Sequence, residues 1–234
     1  MRVGLLFPGQ MGAAVGSAVR GDVLWASAGR SEATKRRAAS FTDVGSVAEL
    51  VRSSDVVLSI CPPAIAEEVA EQVFAGGFDG VFVEANAVSP ERIRRIAKLG
   101  GRVVDGSIIA AKGIDLYLAG QDAPPIAELF AGTDVRAIDL GAEVGAASAL
   151  KMAFGGWNKI GIALTAQAHA IAAAYGVDAW LEMEGVPADR LTRVADRAWR
   201  WAPEMEEVAA TCIELGVHDA LPRAAAEFYR DLAD

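Results

Sequence analysis

The sequence is poor in cysteine, in long hydrophobic runs and in basic charge, and each shortage excludes a class of protein. Cys61 and Cys212 are the two cysteines among 234 residues, and their spacing supports neither a disulfide framework nor a zinc site. No stretch approaches the ~18 apolar residues of a membrane-spanning helix. The net charge of −9 disfavours a broad nucleic-acid-binding surface. We therefore expect a soluble, cytoplasmic protein without a metal site and with neither nucleic acid nor membrane as a partner.

What the sequence does contain is a hydrophobic content of 53%, enough for a large core. Over residues 1–140, short apolar runs alternate with helical segments. Such runs are typical of strands that are buried on both faces of a parallel sheet, and the alternation is typical of a doubly wound α/β domain. The predicted strands are residues 2–7, 22–27, 55–60, 80–85 and 101–106, with 116–120 and 135–141 extending the sheet.

The amino-acid composition changes after Gly141, where alanine becomes abundant. Residues 143–175 contain no proline and predict one helix of 33 residues, roughly 50 Å long. Three or four short helices should follow it. A kink in the long helix is expected at Gly155-Gly156. The short helices are expected to be separated by breaks near Gly185-Pro187, Pro203, Gly216 and Pro222. The predicted fold is therefore a Rossmann-type doubly wound parallel sheet (1–141), a long interdomain helix and a small all-α C-terminal domain (142–234).

Residues 5–12, LLFPGQMG, nearly form a dinucleotide-binding turn between the first strand and a helix. Gly9 can allow close approach of a pyrophosphate, and Gly12 can allow close packing of helix on strand. Phe7 stands at the position of the first glycine and is not expected to replace it as a flexible hinge. The alternative is an ordinary strand–helix turn, but the position after the first strand favours a cofactor site. Its predicted lining is Phe7, Pro8, Gly9, Gln10, Met11 and Gly12.

The second predicted strand ends without the acidic residue that usually binds the ribose 2′-hydroxyl of NAD. Arg30 and Ser31 follow it instead, with Lys35 nearby, and a guanidinium beside a hydroxyl suits a 2′-phosphate. A solvated basic face is the alternative interpretation, and we apply it to Arg36 and Arg37. The pattern therefore predicts NADP(H) rather than NAD as the cofactor.

Five motifs together resemble the β-hydroxyacid dehydrogenase family, relatives of 3-hydroxyisobutyrate and 6-phosphogluconate dehydrogenases, and more narrowly a phosphogluconate-dehydrogenase-like branch with a distinct C-terminal domain. They are FPGQMG (7–12), LSICPP (58–63), EANAVSP (84–90), DGSIIAAKG (105–113) and GAASALKMAFGGWNK (145–159). The resemblance implies a nicotinamide-dependent oxidoreductase. It also implies that Lys151 is the catalytic lysine at the start of the interdomain helix, which would act as a general acid or base.

The chain departs from the family pattern at two substrate positions. Gly155 replaces the usual asparagine four residues after the lysine, and Ile109 replaces a serine. Asn158 is the next polar residue on the same helix face as Lys151. These changes predict a more apolar pocket than that of a small hydroxyacid dehydrogenase. The expected substrate contacts are Ser107, Ile108, Ile109, Ala110, Gly155 and Asn158, with Trp201 and Met205 as apolar walls whose alternative role is core packing.

Two further loops are expected beside the cofactor. Cys61 and Pro62 follow the predicted strand 55–60, and Cys61 is interpreted as a packing residue rather than a nucleophile. Asn86 follows the predicted strand 80–85 and is expected to orient the nicotinamide or the substrate, with a turn-forming role as the alternative. The long alanine-rich helix, too extended to be covered by one small domain, also predicts a homodimer.

The sequence therefore predicts an NADP-dependent oxidoreductase that acts on a small carbonyl or hydroxyl substrate. An imine reductase of the same fold is one alternative. A catalytically silent NADP-binding or scaffolding protein is another.

Overall fold

The computed structural model describes residues 1–192 and 194–233. The chain separates into two compact units, Met1–Lys151 and Met152–Asp234. The first unit contains the sheet and the second is helical, which confirms the predicted fold class. The predicted domain boundary at Gly141 remains a prediction.

The sheet of the first unit has eight strands in the order β3-β2-β1-β4-β5-β6-β7-β8. Neighbouring strands are parallel except for the antiparallel pair β6 and β7. The strands are β1 (Arg2–Leu6), β2 (Asp22–Trp25), β3 (Thr42–Asp43), β4 (Val56–Ser59), β5 (Val81–Glu84), β6 (Arg102–Ile109), β7 (Ile114–Ala119) and β8 (Val135–Asp139). All seven predicted strands are present, and β6 extends three residues beyond its predicted end.

Helices cover both faces of this sheet. They are α1 (Gln10–Ser17), α2 (Glu32–Arg37), α3 (Val47–Ser53), α4 (Ala66–Ala75), α5 (Pro90–Lys98) and α6 (Ala123–Glu128), with a 3₁₀ turn at Pro63–Ile65. In β4, Val56 and Leu58 belong to one hydrophobic layer, whereas Val57 belongs to the other. Because successive side chains of a strand point to opposite faces, this continuous apolar run fills both layers.

The long helix α7 (Ala146–Tyr175) has 30 residues and begins three residues later than predicted. Gly145 directly precedes this helix, and its φ of 109° lies in the region that favours glycine. The helix is continuous across Gly155 and Gly156.

After α7, the second unit contains α8 (Asp178–Met183), a 3₁₀ turn at Ala188–Leu191, α9 (Ala195–Glu214) and α10 (Ala220–Ala233). Breaks near Gly185-Pro187 and Gly216 are present as predicted. A break at Pro203 was predicted wrongly, since α9 continues through it. Burial of the neighbouring Trp201 and Met205 compensates for the hydrogen bond that proline removes. Pro222 also lies inside a helix, but in the first turn of α10, where its missing N–H is not needed.

The two glycines of α7 lie against side chains of α9. A Cβ atom on Gly155 would come within 2.8 Å of Glu204 Oε1, and one on Gly156 within 3.1 Å of Val208 Cγ1. The glycine pair therefore serves helix packing within the second unit.

Candidate functional site

The candidate cofactor site lies at the carboxyl end of β1, where the strand order reverses between β2 and β4. Ligands of open α/β sheets bind at such a switch point. Phe7, Pro8 and Gly9 connect β1 to the N-terminus of α1. Pro8 is buried, Met11 is half-buried and Gln10 is exposed. The turn predicted from the sequence is thus present at the expected edge of the sheet.

Phe7 itself takes the backbone conformation expected of the missing glycine. Its φ of 59° is the only positive value for a residue other than glycine in the described part of the chain. Phe7 thus adopts the positive φ that glycine usually provides, and the prediction that it does not act as a flexible hinge stays a prediction. The turn is closed by a hydrogen bond of 2.6 Å from the Gly9 amide to the Phe7 carbonyl. Gly12 is required beside it, because a Cβ there would come within 2.8 Å of Phe7 O.

Arg30 lies against this turn. Its guanidinium carbon is 3.9 Å from the centroid of the Phe7 ring, which is a cation–π contact. Partial burial lowers the pKa of Arg30 from its ordinary value, with a smaller opposing effect of Cys61. A guanidinium in this setting remains charged and is partly stripped of water.

Ser31, Lys35 and Arg37, the other polar side chains considered in this region, each have a partner within the protein. Ser31 is the N-cap of α2, and its Oγ accepts a hydrogen bond of 3.3 Å from the Thr34 amide. Lys35 Nζ pairs with Glu32 at 2.8 Å on the surface. Arg37 is exposed, as expected of a solvated face, and its Nε also donates to the Pro8 carbonyl at 3.3 Å. Arg37 therefore links α2 to the candidate cofactor turn.

Asn86 joins the loops that follow β4 and β5. Its Oδ1 accepts a hydrogen bond of 2.6 Å from the Cys61 amide. Its Nδ2 lies 3.2 Å from Cys61 Sγ and 3.4 Å from Ser59 Oγ, and it also donates to Glu84 Oε1. Asn86 is buried, whereas Pro62 at the other loop is exposed. The amide of Asn86 therefore fixes the loop that carries Cys61.

Burial controls the ionisation of this cluster. Desolvation, with a smaller contribution from Glu84, raises the pKa of the Cys61 thiol to about 12. The thiol is therefore neutral near pH 7, in keeping with a packing role. Desolvation also raises the pKa of Glu84 to about 8. Sequence reasoning missed Glu84, although an acidic residue at the end of the apolar run VFVE was a usable signal.

Lys151 lies near the start of α7, and its Nζ donates to the Ile108 carbonyl at 2.8 Å. The structure thus brings the predicted catalytic lysine to the predicted substrate segment on β6. Ser107, Ile108 and Ile109 are buried in β6, whereas Ala110 at its end is exposed. Ser107 Oγ is a buried atom without a hydrogen-bond partner in the described part of the chain.

Asp105 anchors the helix that carries this lysine. Its carboxylate accepts hydrogen bonds from the Gly145 amide at 2.8 Å, the Ser148 amide at 3.0 Å and the Ser148 hydroxyl at 2.6 Å. Burial raises the pKa of Asp105, and these hydrogen bonds oppose that change. Sequence reasoning missed Asp105 because its partners lie about 40 residues away along the chain.

The remaining predicted substrate residues belong to the second unit. Trp201 packs edge-on against Tyr229 with ring centroids 5.2 Å apart, and Met205 is fully buried. Asn158 is half-buried. Gly155 leaves space for Glu204, whose Oε1 pairs with Lys159 Nζ at 2.8 Å. The packing alternative accounts for Trp201 and Met205, and a substrate contact by these residues stays a prediction.

In residues 1–192 and 194–233, no group of three or more His, Cys, Asp and Glu side chains could hold a metal ion. Nor does any helix in these ranges have the length and apolar character to cross a membrane.

Comparison with solved structures gives the fold a family context. A conserved protein of unknown function, MTH1747, described as structurally similar to 3-hydroxyacid dehydrogenases, is 27% identical with a TM-score of 0.75, over 99% of this chain and 96% of that one. The chain has the 3-hydroxyacid dehydrogenase fold. The 3-hydroxyisobutyrate dehydrogenase of Mycobacterium tuberculosis, solved with L-serine, is 17% identical with a TM-score of 0.73, over 99% and 93% of the two chains. The resemblance predicted from the motifs is thereby confirmed.

A second kind of enzyme shares this architecture. An imine reductase variant from Myxococcus stipitatus, solved with NAD+, is 21% identical with a TM-score of 0.56, over 98% of this chain and 91% of that one. Residues 172–232 match the family model described as a domain of unknown function, DUF1932. No curated protein matches the chain.

Proposed function

We propose that the chain is an NADP(H)-dependent oxidoreductase that transfers a hydride between the nicotinamide and a small carbonyl or hydroxyl substrate. The observation that carries the proposal is the contact of Lys151 with β6 in a fold shared with dehydrogenases. The predicted homodimer and the division into residues 1–141 and 142–234 belong to the same proposal.

The residues at the end of β1 fit a dinucleotide. No side chain caps the N-terminus of α1, and its first turn contains no acidic residue, so its backbone amides can meet phosphate oxygens. A Cβ on Gly9 would approach nothing closer than 3.9 Å, which leaves open space over the turn. Arg30 adds a partly desolvated positive charge at the end of β2, where the 2′-phosphate of NADP(H) would bind.

The proposed chemistry requires a hydride and a proton. The nicotinamide, when bound, supplies the hydride to the carbonyl carbon. Lys151 Nζ donates a proton to the developing alkoxide oxygen and recovers it in the reverse direction. The Ile108 carbonyl orients Nζ, and Asp105 holds the first turn of α7 so that Lys151 keeps its position.

Imine reduction is the second candidate, and the match to an imine reductase structure favours it. A lysine ammonium is suited to protonate an alkoxide, so we place carbonyl reduction first. Parallel assays of NADPH oxidation with a panel of aldehydes and ketones and a panel of cyclic imines distinguish the two.

The mechanistic test is Lys151→Met. We expect turnover to fall by about 10²- to 10⁴-fold, the usual contribution of a general acid, while NADPH still binds. Lys98→Met, at an exposed position at the end of α5, is the matched control and should keep full activity. Near-normal turnover of Lys151→Met on an accepted substrate would show that the lysine is not the general acid. Oxidation of NADPH by neither panel would favour a catalytically silent NADP-binding protein.

A further inference from the structure

We infer that Phe7 is a positioning residue for cofactor choice, because its ring holds the Arg30 guanidinium in place for the 2′-phosphate of NADP(H). The inference rests on the proposed NADP(H)-dependent function and assigns to Phe7 a role beyond filling the position of a glycine.

The first observation is the state of Arg30. Its guanidinium lies over the Phe7 ring at 3.9 Å from the centroid and is partly buried. In residues 1–192 and 194–233, no carboxylate forms an ion pair with it. A cation that is partly desolvated and lacks an anionic protein partner is suited to receive an anionic ligand. The aromatic face stabilises the charge without neutralising it.

The second observation is that the chain keeps an aromatic side chain where its backbone favours glycine. At a φ of 59°, any side chain costs about 1–2 kcal/mol relative to a right-handed conformation, and glycine avoids that cost. A side chain retained in such a conformation indicates a role that compensates for the strain. The contact with Arg30 provides that role.

The third observation is that the turn does not depend on the Phe7 ring. Its closure uses the main chain, through the Gly9 amide and the Phe7 carbonyl, and Arg37 adds a hydrogen bond to the Pro8 carbonyl. The backbone of Arg30 is held separately, by a 3.0 Å hydrogen bond from its amide to the Ser27 carbonyl. Removing the ring should therefore free the guanidinium while leaving both backbone segments in place.

This arrangement predicts a selective effect on the two cofactors. NADPH presents a phosphate to Arg30, whereas NADH presents a hydroxyl at the same position. Loss of the Phe7 ring should weaken NADPH binding and leave NADH binding nearly unchanged. A ring that merely filled space beside the pyrophosphate would affect both cofactors equally.

The experiment measures dissociation constants of NADPH and NADH for the full chain and its Phe7→Gly, Phe7→Leu and Phe7→Tyr variants. We expect Phe7→Gly and Phe7→Leu to weaken NADPH by about 2- to 30-fold, the range of a cation–π contact, with NADH changed less than about twofold. Phe7→Tyr keeps an aromatic face and should bind both cofactors as the parent does. Phe7→Gly should not lower the melting temperature, since glycine relieves the backbone strain.

Arg30→Ala and the double variant Phe7→Gly/Arg30→Ala complete a double-mutant cycle with Phe7→Gly and the parent. The double variant should bind NADPH no more weakly than Arg30→Ala alone, because the ring acts through Arg30. Unchanged or tighter NADPH binding by Phe7→Gly, beside a loss in Arg30→Ala, would overturn the role of Phe7 and leave the proposed function standing. Equal losses of NADPH and NADH in Phe7→Gly would also overturn it. A parent protein that shows no preference for NADPH would refute the NADP(H) proposal and this inference together.

Discussion

Arg30 is the residue on which the proposed cofactor preference depends. Its guanidinium is partly buried and stacked on Phe7, at the end of β2. A charge-assisted hydrogen bond to a phosphate contributes about 1.5–3 kcal/mol. We expect Arg30→Ala to weaken NADPH binding at least about tenfold and to leave NADH binding almost unchanged. Titration of each cofactor by fluorescence measures this, with Arg36→Ala as the control at an exposed position of α2. Equal losses for both cofactors would assign Arg30 to the fold alone.

The raised pKa of Glu84 predicts that the stability of the protein depends on pH. Burial raises its pKa from 4.5 to about 8, so the folded protein binds this proton more tightly than the unfolded chain. Stability from Glu84 is therefore fully present below about pH 4.5 and is lost as pH rises through about 8. Desolvation is the main cause of the raised pKa, hydrogen bonds from Asn86 and Ser59 oppose it, and the like charge of Asp105 adds a smaller increase.

Glu84→Gln tests this dependence because glutamine resembles the protonated acid. Between pH 5.5 and 7.5, the parent should lose on the order of 2 kcal/mol of unfolding free energy relative to Glu84→Gln. Urea unfolding at several pH values measures the difference, and Glu71→Gln on the exposed face of α4 serves as control. A constant difference between parent and Glu84→Gln over this range would contradict the assignment.

Individual residues of the candidate site could be predicted from the sequence only where a local pattern determines them. Lys151 and the turn at 7–12 stand next to recognisable elements, and both lie where expected. Glu84 and Asp105 were missed because their importance comes from burial and from partners distant in sequence. The left-handed conformation of Phe7 was also missed, since residue-type preference argues against it and the main-chain contacts of the turn override that preference.

Helix α7 contacts α9 through a buried ion pair, and this pair predicts how substitutions between the two helices change stability. Lys159 Nζ and Glu204 Oε1 are 2.8 Å apart, with side chains 9% and 11% exposed. Breaking a buried ion pair by removing one of its two members costs about 3–5 kcal/mol, whereas replacing both by apolar residues is often neutral. We therefore expect Lys159→Met to destabilise the protein strongly and Lys159→Met/Glu204→Met to recover most of the loss. Chemical denaturation measures both, and a double variant less stable than Lys159→Met would contradict the expectation.

The elements themselves were predictable to different degrees. Central strands such as β4 and β5 are short runs of three apolar residues followed by Ser59 or Glu84, and their burial on both faces follows from the apolar part of that composition. The edge strand β3 was missed because Thr42 and Asp43 are exposed and present no apolar pattern. The predicted break at Pro203 was wrong because packing of α9 against α10, through Trp201 and Tyr229, outweighs the low helix propensity of proline.

For the whole molecule, the proposal of a homodimer depends on the exposed face of α7. Trp157, Leu164 and Ile171 are 70%, 66% and 61% exposed. Seven helical steps return to within about 20°, so the three side chains form one stripe. Trp180 and Met183 of α8 add further exposed apolar surface within the same unit. An apolar surface of this extent indicates an interface, and an obligate dimer would bury more than about 2,000 Å².

Light scattering at micromolar concentration tests this proposal directly. We expect a mass about twice the 24.4 kDa of one chain. Leu164→Glu and Ile171→Glu place charges within the stripe and should shift the protein to monomers, because a charge buried at an apolar interface is costly. Ala173→Glu, an exposed position on the other side of α7, should leave the mass unchanged. A stable, soluble monomer of the parent chain would contradict the dimer and would leave the stripe of α7 exposed in solution.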